Sequence, residues 1–137
     1  MGRREVIVAV DINVLLRAAV RDDPRQAQSA AHLLRSADRI AIPLVALCEF
    51  AWVMRSGYKR PAAEVATSIR SLVNSAKVIV DRSAVQAGLE ILDAGGDFAD
   101  GVIAHEGAWL GAEEFVSFDK KAVSLLKSQG KRARLLS

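Results

Sequence analysis

Short runs of apolar and β-branched residues alternate along the chain with longer segments that mix polar and apolar positions. The short runs predict strands at residues 5–10, 39–42, 77–80, 114–118 and 133–136. The longer segments predict helices at 14–20, 24–37, 44–56, 61–74, 83–94, 98–110 and 119–128. Strands that alternate with helices across short turns indicate parallel β-structure with helical crossovers. The predicted fold class is therefore α/β.

The strands are nearly all apolar, which is typical of a sheet that has helices on both faces. We expect one three-layer domain over residues 1–137, with a short, mostly parallel central sheet between helices. Particular residues mark several of the helix ends. Asp23 is a good N-cap, and Pro24 suits the first helical position. Gly57 and Gly111 stand where helices end.

Composition narrows the class of protein. Hydrophobic residues make up 51% of the chain and charged residues 26%, as in ordinary folded proteins. The longest apolar stretch is interrupted by Glu49 and is shorter than the roughly 20 residues of a membrane-spanning helix. Cys48 is the single cysteine, so it has no partner for an internal disulfide. We expect a cytoplasmic protein that does not associate with membranes.

The formal net charge is +3, and the basic residues fall in groups at 17–25, 55–60 and 120–134. Such groups attract polyanions, including nucleic acid. Charged, solvated surface gives the same pattern, so charge alone leaves both interpretations open.

Acidic residues follow the predicted strands at positions that suit ligand binding. Asp11 comes directly after the first strand and Asp119 directly after the fourth. Asp100 lies in the first turn of the helix at 98–110, and Asp97 lies three residues before it. Because ligands of parallel α/β sheets bind beyond the carboxyl ends of the strands, we expect these acids to share one edge of the sheet.

Glu49 stands out because its neighbours at three and four positions along the predicted helix are Val45, Ala46, Trp52 and Val53. A carboxylate on such a face predicts burial, which requires a cation, a hydrogen-bonding partner or a raised pKa. A divalent ion shared with Asp11 and Asp100 would meet that requirement.

Carboxylates with few candidate His or Cys ligands favour a hard cation, Mg²⁺ or Mn²⁺. Such ions activate water and stabilise charge on phosphate, so hydrolysis of a phosphodiester is the natural reaction class. Each acid also has a simpler explanation. Asp11 and Asp119 could cap helices, Asp100 could complement a helix dipole, and Glu49 could reach solvent or pair with an arginine.

Together these residues resemble a known family. The segments 8–17 (VAVDINVLLR), 97–104 (DFADGVIA) and 116–121 (VSFDKK) are similar to motifs of PIN-domain nucleases of the VapC toxin type. Glu49, which follows Ile42 and Pro43, matches the second acidic position. The resemblance covers essentially the whole chain.

The resemblance implies a set of site residues. Asp11, Glu49, Asp100 and Asp119 would surround one or two Mg²⁺ or Mn²⁺ ions: Asp11 and Asp100 would hold the principal ion, Asp119 would complete its shell, and Glu49 would orient or deprotonate the attacking water. Asn13, Ser117 and Asp97 match positions of the family that lie around the pocket. Arg17 could hold a flanking phosphate.

The resemblance also implies partners. Toxins of this kind cleave RNA endonucleolytically, form homodimers and are inhibited by a small cognate antitoxin in a hetero-oligomer. The helix that carries Glu49 and the helix at 23–37 would wall the antitoxin groove. Two other functions stay open: a non-catalytic scaffold that binds RNA or protein, and a metal-dependent phosphatase.

Overall fold

Strands and helices alternate along residues 4–137, which a computed structural model of the chain describes. The strands are β1 (Ile7–Ala9), β2 (Arg39–Ala41), β3 (Val78–Ile79), β4 (Phe115–Ser117) and β5 (Ala133–Leu135). The α-helices are α1 (Ile12–Ala19), α2 (Pro24–Ser36), α3 (Leu44–Trp52), α4 (Ala62–Val73), α5 (Arg82–Asp93), α6 (Phe98–Trp109) and α7 (Lys120–Ser128). The predicted α/β fold class is confirmed.

Aspartates fix the starts of five helices. Asp11, Asp23, Asp81, Asp97 and Asp119 precede α1, α2, α5, α6 and α7, and each carboxylate accepts a hydrogen bond from a backbone N–H in the first turn. The predicted start at Asp23 and Pro24 is confirmed. A cap of this kind contributes about 1 kcal/mol, because it satisfies a backbone donor that the helix leaves free.

The strands pair in parallel, as predicted, but in two groups. β1, β2 and β3 form one sheet in that order, with Val8 opposite Ile40 and Ile40 opposite Val78. β4 pairs with β5, with Phe115 opposite Ala133. Within residues 4–137 no ladder joins the two groups. Each strand is two or three residues long, shorter than the sequence pattern predicts.

Helices cover the sheet unevenly. Val10, Ile40 and Val78 point into the main core and are at most 6% exposed. Alternate positions point to the other face, where Ile7 and Ile79 stay 56% and 38% exposed. The apolar strands predicted that helices cover both faces of the sheet, but Ile7 and Ile79 are not fully covered.

Two apolar clusters hold the helices against the strands. The larger cluster includes Leu15, Leu47, Phe50, Ile69 and Phe98, each fully buried. The smaller cluster packs α7 onto the β4–β5 pair through Val123, Leu126 and Ala133. The longest α-helix has 13 residues, and none of the helices in the described range combines the length and apolar character needed to cross a bilayer.

Helices α5 and α6 pack very closely. A methyl group added to Gly101 would lie 2.8 Å from the Cα of Gly88 and closer still to the carbonyl oxygen of Ala87. A methyl group on Gly88 would lie 2.6 Å from the ring of Phe98. This contact fixes the start of α6, where Asp97 caps the helix and Asp100 lies in the first turn.

The predicted helix at 44–56 changes form before it ends. α3 stops at Trp52, and the next five residues, Val53–Gly57, form a π-helical segment. The backbone N–H of Tyr58 donates to the carbonyl of Val53 at 3.0 Å. Lys59 then adopts a left-handed conformation, with φ of 59°. The wider turn changes the direction in which the side chains after Trp52 point.

Candidate active site

Three carboxylates line one cavity of about 420 Å³. Asp97 and Asp100 come from the start of α6, and Asp119 comes from the turn between β4 and α7. The end of α3 and the π-helical segment form the opposite wall. Residues far apart in the chain therefore place negative charge around a common space.

Asp119 is held firmly in its turn. Its Oδ1 accepts hydrogen bonds from the backbone N–H groups of Lys121 and Ala122, at 2.9 and 3.1 Å. Its own N–H donates to Oγ of Ser117 at 2.9 Å. Ser117, expected to be a polar residue of the pocket, thus shapes the turn that presents Asp119. Asp119 Oδ2 has no hydrogen-bond partner among residues 4–137 and is free to bind a ligand.

Asp100 is the acid whose proton affinity changes most. Partial burial raises its pKa to about 6, and repulsion from Asp97 and Asp119 adds to the effect. Asp97 is exposed and caps α6 through the N–H of Ala99 at 3.1 Å. The negative charges in the cavity therefore destabilise one another, and this repulsion favours the binding of a cation.

Cationic and aromatic side chains share this cavity. Arg55, Lys121 and Trp52 line it together with the three acids. The sequence pattern placed Arg55 and Lys121 only in basic groups, with Lys121 also in the motif at 116–121, and gave no role to Trp52. Lys121 had a local signal, since it lies two residues after Asp119. Arg55 and Trp52 had none, because their placement depends on how the end of α3 approaches the start of α6.

Asp11 does not line the cavity. It is exposed, and its Oδ1 accepts a hydrogen bond from the N–H of Val14 at 3.2 Å. Asn13 and Arg17 line a different cavity, of about 260 Å³, between α1 and α2.

Arg17 is already engaged in that second cavity. It pairs with Asp22 at 3.2 Å and donates to Gln26 at 2.6 Å. The structure thus brings Asp97, Asp100 and Asp119 together around one cavity. Asp11, Asn13 and Arg17 lie outside that cavity.

The expectation that Glu49 is buried was wrong. Glu49 is exposed and is not among the residues that line the acid cavity. Its apolar neighbours Val45 and Trp52 are themselves 69% and 61% exposed. Helical spacing shows that these residues share a face, but nothing in residues 4–137 covers that face at those positions. The desolvation argument for a cation at Glu49 therefore does not apply.

Cys48 has no features of a nucleophile. Burial raises the pKa of its thiol to about 11, and the negative charges of Asp97 and Glu106 add to the shift. The thiol is therefore protonated near neutral pH, whereas a nucleophilic cysteine needs the thiolate. Cys48 packs as a small, half-buried side chain against the main core.

The chemistry of the cavity fits a hard divalent cation. Carboxylate oxygens are the donors that Mg²⁺ and Mn²⁺ prefer, and the mutual repulsion of the acids would be relieved by positive charge. No three acidic, histidine or cysteine side chains of residues 4–137 are close enough, as they stand, to bind one ion. Binding would therefore draw the carboxylates inward from their present positions.

Comparison with known protein families gives one match for this chain. No curated protein matches the chain. The family model described as PIN domain matches residues 8–125, a region that includes Asp11, Glu49, Asp97, Asp100 and Asp119. The match extends from β1 into α7, so it covers both walls of the cavity. The chain belongs to the PIN domain family.

Proposed function

We propose that this chain is a metal-dependent endoribonuclease and the toxin of a VapC-type toxin–antitoxin pair. The PIN domain is generally a nuclease fold, and its members are usually metal-dependent. The observation that carries the proposal is the cavity shared by Asp97, Asp100 and Asp119, where mutual repulsion contributes to the raised pKa of Asp100.

Asp100 and Asp119 would hold Mg²⁺, or Mn²⁺ in its place, with Asp97 beside them. Asp11 and Glu49 would extend the acidic set by the family resemblance, after movement toward the cavity. A divalent ion bound among such carboxylates lowers the pKa of a bound water and stabilises charge on an attacked phosphate.

The other side chains of the site have roles in binding and orientation. Arg55 and Lys121 supply positive charge on the same cavity and would bind non-bridging oxygens of RNA phosphates. Ser117 and two backbone N–H groups hold Asp119 in one orientation. Glu49, which is solvent-exposed, would accept a proton from water. The water oxygen would then bond to phosphorus as the bond to the leaving oxygen breaks, and the leaving oxygen would take up a proton from solvent.

Cleavage of an end-labelled RNA by purified protein tests this function. We expect cutting with Mg²⁺ or Mn²⁺, none with a chelator, and a loss of about 100-fold or more in Asp100→Asn and Asp119→Asn. Glu113→Gln, which changes an exposed acid outside the cavity, is the matched control and should cut like the wild type. Equal cutting by Asp100→Asn and the wild type would rule out the assignment.

The contributions of Asp11 and Glu49 need their own variants. If they join the acidic set on metal binding, Asp11→Asn and Glu49→Gln will each lower the cleavage rate by about tenfold or more. Asparagine at position 11 keeps an Oδ1 that can accept the N–H of Val14, so the helix cap is retained, and unfolding measured in parallel checks that both variants are folded. Variants that fold and cut normally would remove these two residues from the set.

The toxin role rests on the resemblance in the motifs around Asp11, Asp100 and Asp119. We propose a homodimer that acts on cytoplasmic RNA and is blocked by a small antitoxin. Inducible expression in a bacterium should arrest growth, and Asp100→Asn should abolish the arrest. New RNA ends mapped after induction would identify the substrate. Arrest that persists with Asp100→Asn would contradict a nuclease toxin.

A second candidate is a non-catalytic RNA-binding scaffold. It is favoured by one observation: no three potential ligands in the described part of the chain are already arranged for a metal ion. This candidate predicts RNA binding that weakens with salt, that ignores chelator and that leads to no cleavage. The cleavage assay above separates the two.

A further inference from the structure

Trp52 exposes a large aromatic surface beside the acidic cavity. It is the last residue of α3, and its side chain is 61% exposed while it lines the cavity with Asp100 and Asp119. Exposure of so much apolar surface is unfavourable in water, so a flat aromatic ring at a cavity wall is well suited to stacking.

Arg55 lies on the same cavity three residues after Trp52. Its Nη1 donates to the carbonyl oxygen of Arg60 at 3.2 Å. No carboxylate of residues 4–137 forms an ion pair with it. Most of the guanidinium is therefore available to an anion, and its planar set of donors matches phosphate oxygens.

The segment that carries Arg55 is anchored on both sides. Met54 is 2% exposed and packs in the main core. The hydroxyl of Tyr58 donates to Oδ2 of Asp22 at 3.2 Å, which ties the end of the segment to the turn before α2. π-helical turns occur frequently at functional sites. The backbone that carries Trp52 and Arg55 is thus held in place before a ligand arrives.

We propose that Trp52 stacks on an unpaired base next to the scissile phosphate and that Arg55 binds the adjoining phosphate. The site then takes a single-stranded stretch of RNA, because in a duplex both faces of each base are covered by its neighbours. The cavity volume of about 420 Å³ lies within the roughly 300–1,000 Å³ of small-ligand pockets, which is room for part of a strand. This inference rests on the proposed function and adds two residues, Trp52 and Arg55, that position the RNA strand in the site.

Fluorescence tests the stacking without relying on cleavage. The chain has two tryptophans, so Trp109→Phe leaves Trp52 as the only one. In a Trp109→Phe, Asp100→Asn protein, a short single-stranded RNA should quench the fluorescence in a saturable way. The same RNA annealed to its complement should bind at least about fivefold more weakly, since the duplex offers no free base.

Binding variants test each residue by gel shift with the single-stranded RNA. Trp52→Ala should weaken binding at least about fivefold, and Trp52→Phe should weaken it less, because phenylalanine keeps an aromatic face. Arg55→Ala should weaken binding and make it less dependent on salt. Trp109→Ala is the matched control: Trp109 is 86% exposed and is not among the residues that line the cavity, so its removal should have no effect.

The outcomes separate this inference from the nuclease assignment. If the wild type cuts RNA while Trp52→Ala binds and cuts equally well, the stacking role is wrong and the nuclease stands. If RNA quenches Trp52 but no metal supports cleavage, the stacking role stands and the nuclease is contradicted. The inference is also overturned if duplex RNA binds as tightly as single-stranded RNA. It is overturned as well if Trp52→Ala binds RNA normally but no longer binds a protein inhibitor, because Trp52 would then contact that protein instead of a base.

Discussion

At the scale of single residues, the carboxyl group of Asp100 links the site to protein stability. Its pKa is raised to about 6 because it is partly buried and because Asp97 and Asp119 repel its negative form. The folded chain therefore binds a proton that the unfolded chain has released, between the ordinary pKa of 3.8 and about 6. It follows that this group lowers the stability of the metal-free fold as the pH rises through that window.

Replacing Asp100 by asparagine should stabilise the metal-free protein at neutral pH. We expect a gain of about 1 kcal/mol in the free energy of unfolding, since solvent screens a half-exposed carboxylate and reduces the effect. At pH 3.5 most of the gain should disappear, because the carboxyl of Asp100 is then mostly protonated in the unfolded chain as well as in the folded one. Urea unfolding at pH 7.5 and pH 3.5 measures both values. If Asp100→Asn were less stable than the wild type by the same amount at both pH values, the charge of Asp100 would not destabilise the fold.

Ser117 acts through Asp119. Its Oγ accepts the N–H of Asp119, so Ser117→Ala leaves that donor to water at a cost of about 1 kcal/mol and loosens the turn. We expect RNA cleavage to fall several-fold, about 3- to 10-fold, mainly in kcat. Ser117→Thr keeps the hydroxyl and should retain most of the activity. Identical losses in the alanine and threonine variants would indicate a packing role instead.

At the scale of elements, the close contact between α5 and α6 carries the most specific prediction. Gly101→Ala puts a methyl group against the backbone of Ala87 and Gly88, where nothing can yield without separating the helices. We expect a loss of about 2 kcal/mol or more in the free energy of unfolding, measured by chemical denaturation. Weaker metal binding should accompany it, because α6 carries Asp97 and Asp100.

Gly107 provides the matched control on the same helix. A methyl group there meets only Ala112, at 3.9 Å, an ordinary van der Waals distance. Gly107→Ala should stabilise the protein by up to about 1 kcal/mol, since alanine favours the helix. If Gly101→Ala were as well tolerated as Gly107→Ala, the packing of α5 on α6 would differ from the one described.

The elements show which patterns in the sequence are sufficient for prediction. Helix starts at Asp23, Asp97 and Asp119 follow from local chemistry, because a carboxylate at that position satisfies the free N–H groups of its own helix. The π-helical segment after Trp52 has no such local signal: Gly57 indicates where the helix ends but not how its last turn is wound. The strands proved shorter than their apolar runs because pairing, rather than composition, ends a ladder.

At the scale of the whole molecule, topology accounts for the part of the site that the sequence could predict. Asp100 and Asp119 lie at the starts of helices, and parallel α/β folds gather such ends at one edge. The exposure of Glu49 could not be predicted, since periodicity shows which residues share a helix face but not whether another element covers that face. Arg55 and Trp52 could not be predicted as cavity residues either. Their place there depends on the packing of α3 against α6, a contact between distant parts of the chain.

The cavity brings together charges of both signs. The chain has a net charge of +3, yet three acids converge at one place with Arg55 and Lys121 at its border. A site with this arrangement would attract a divalent cation to its centre and a phosphate to its edge. We therefore expect the acids of the cavity to bind one ion together.

Titration of Mn²⁺, followed by electron paramagnetic resonance, tests this shared binding. The sharp signal of free Mn²⁺ decreases when the ion binds to the protein. The wild type at pH 7.5 should bind Mn²⁺ at a saturable site. Asp100→Asn should bind it at least about tenfold more weakly, and Glu113→Gln should bind it like the wild type. Equal affinity in the wild type and Asp100→Asn would contradict a metal site formed by these carboxylates.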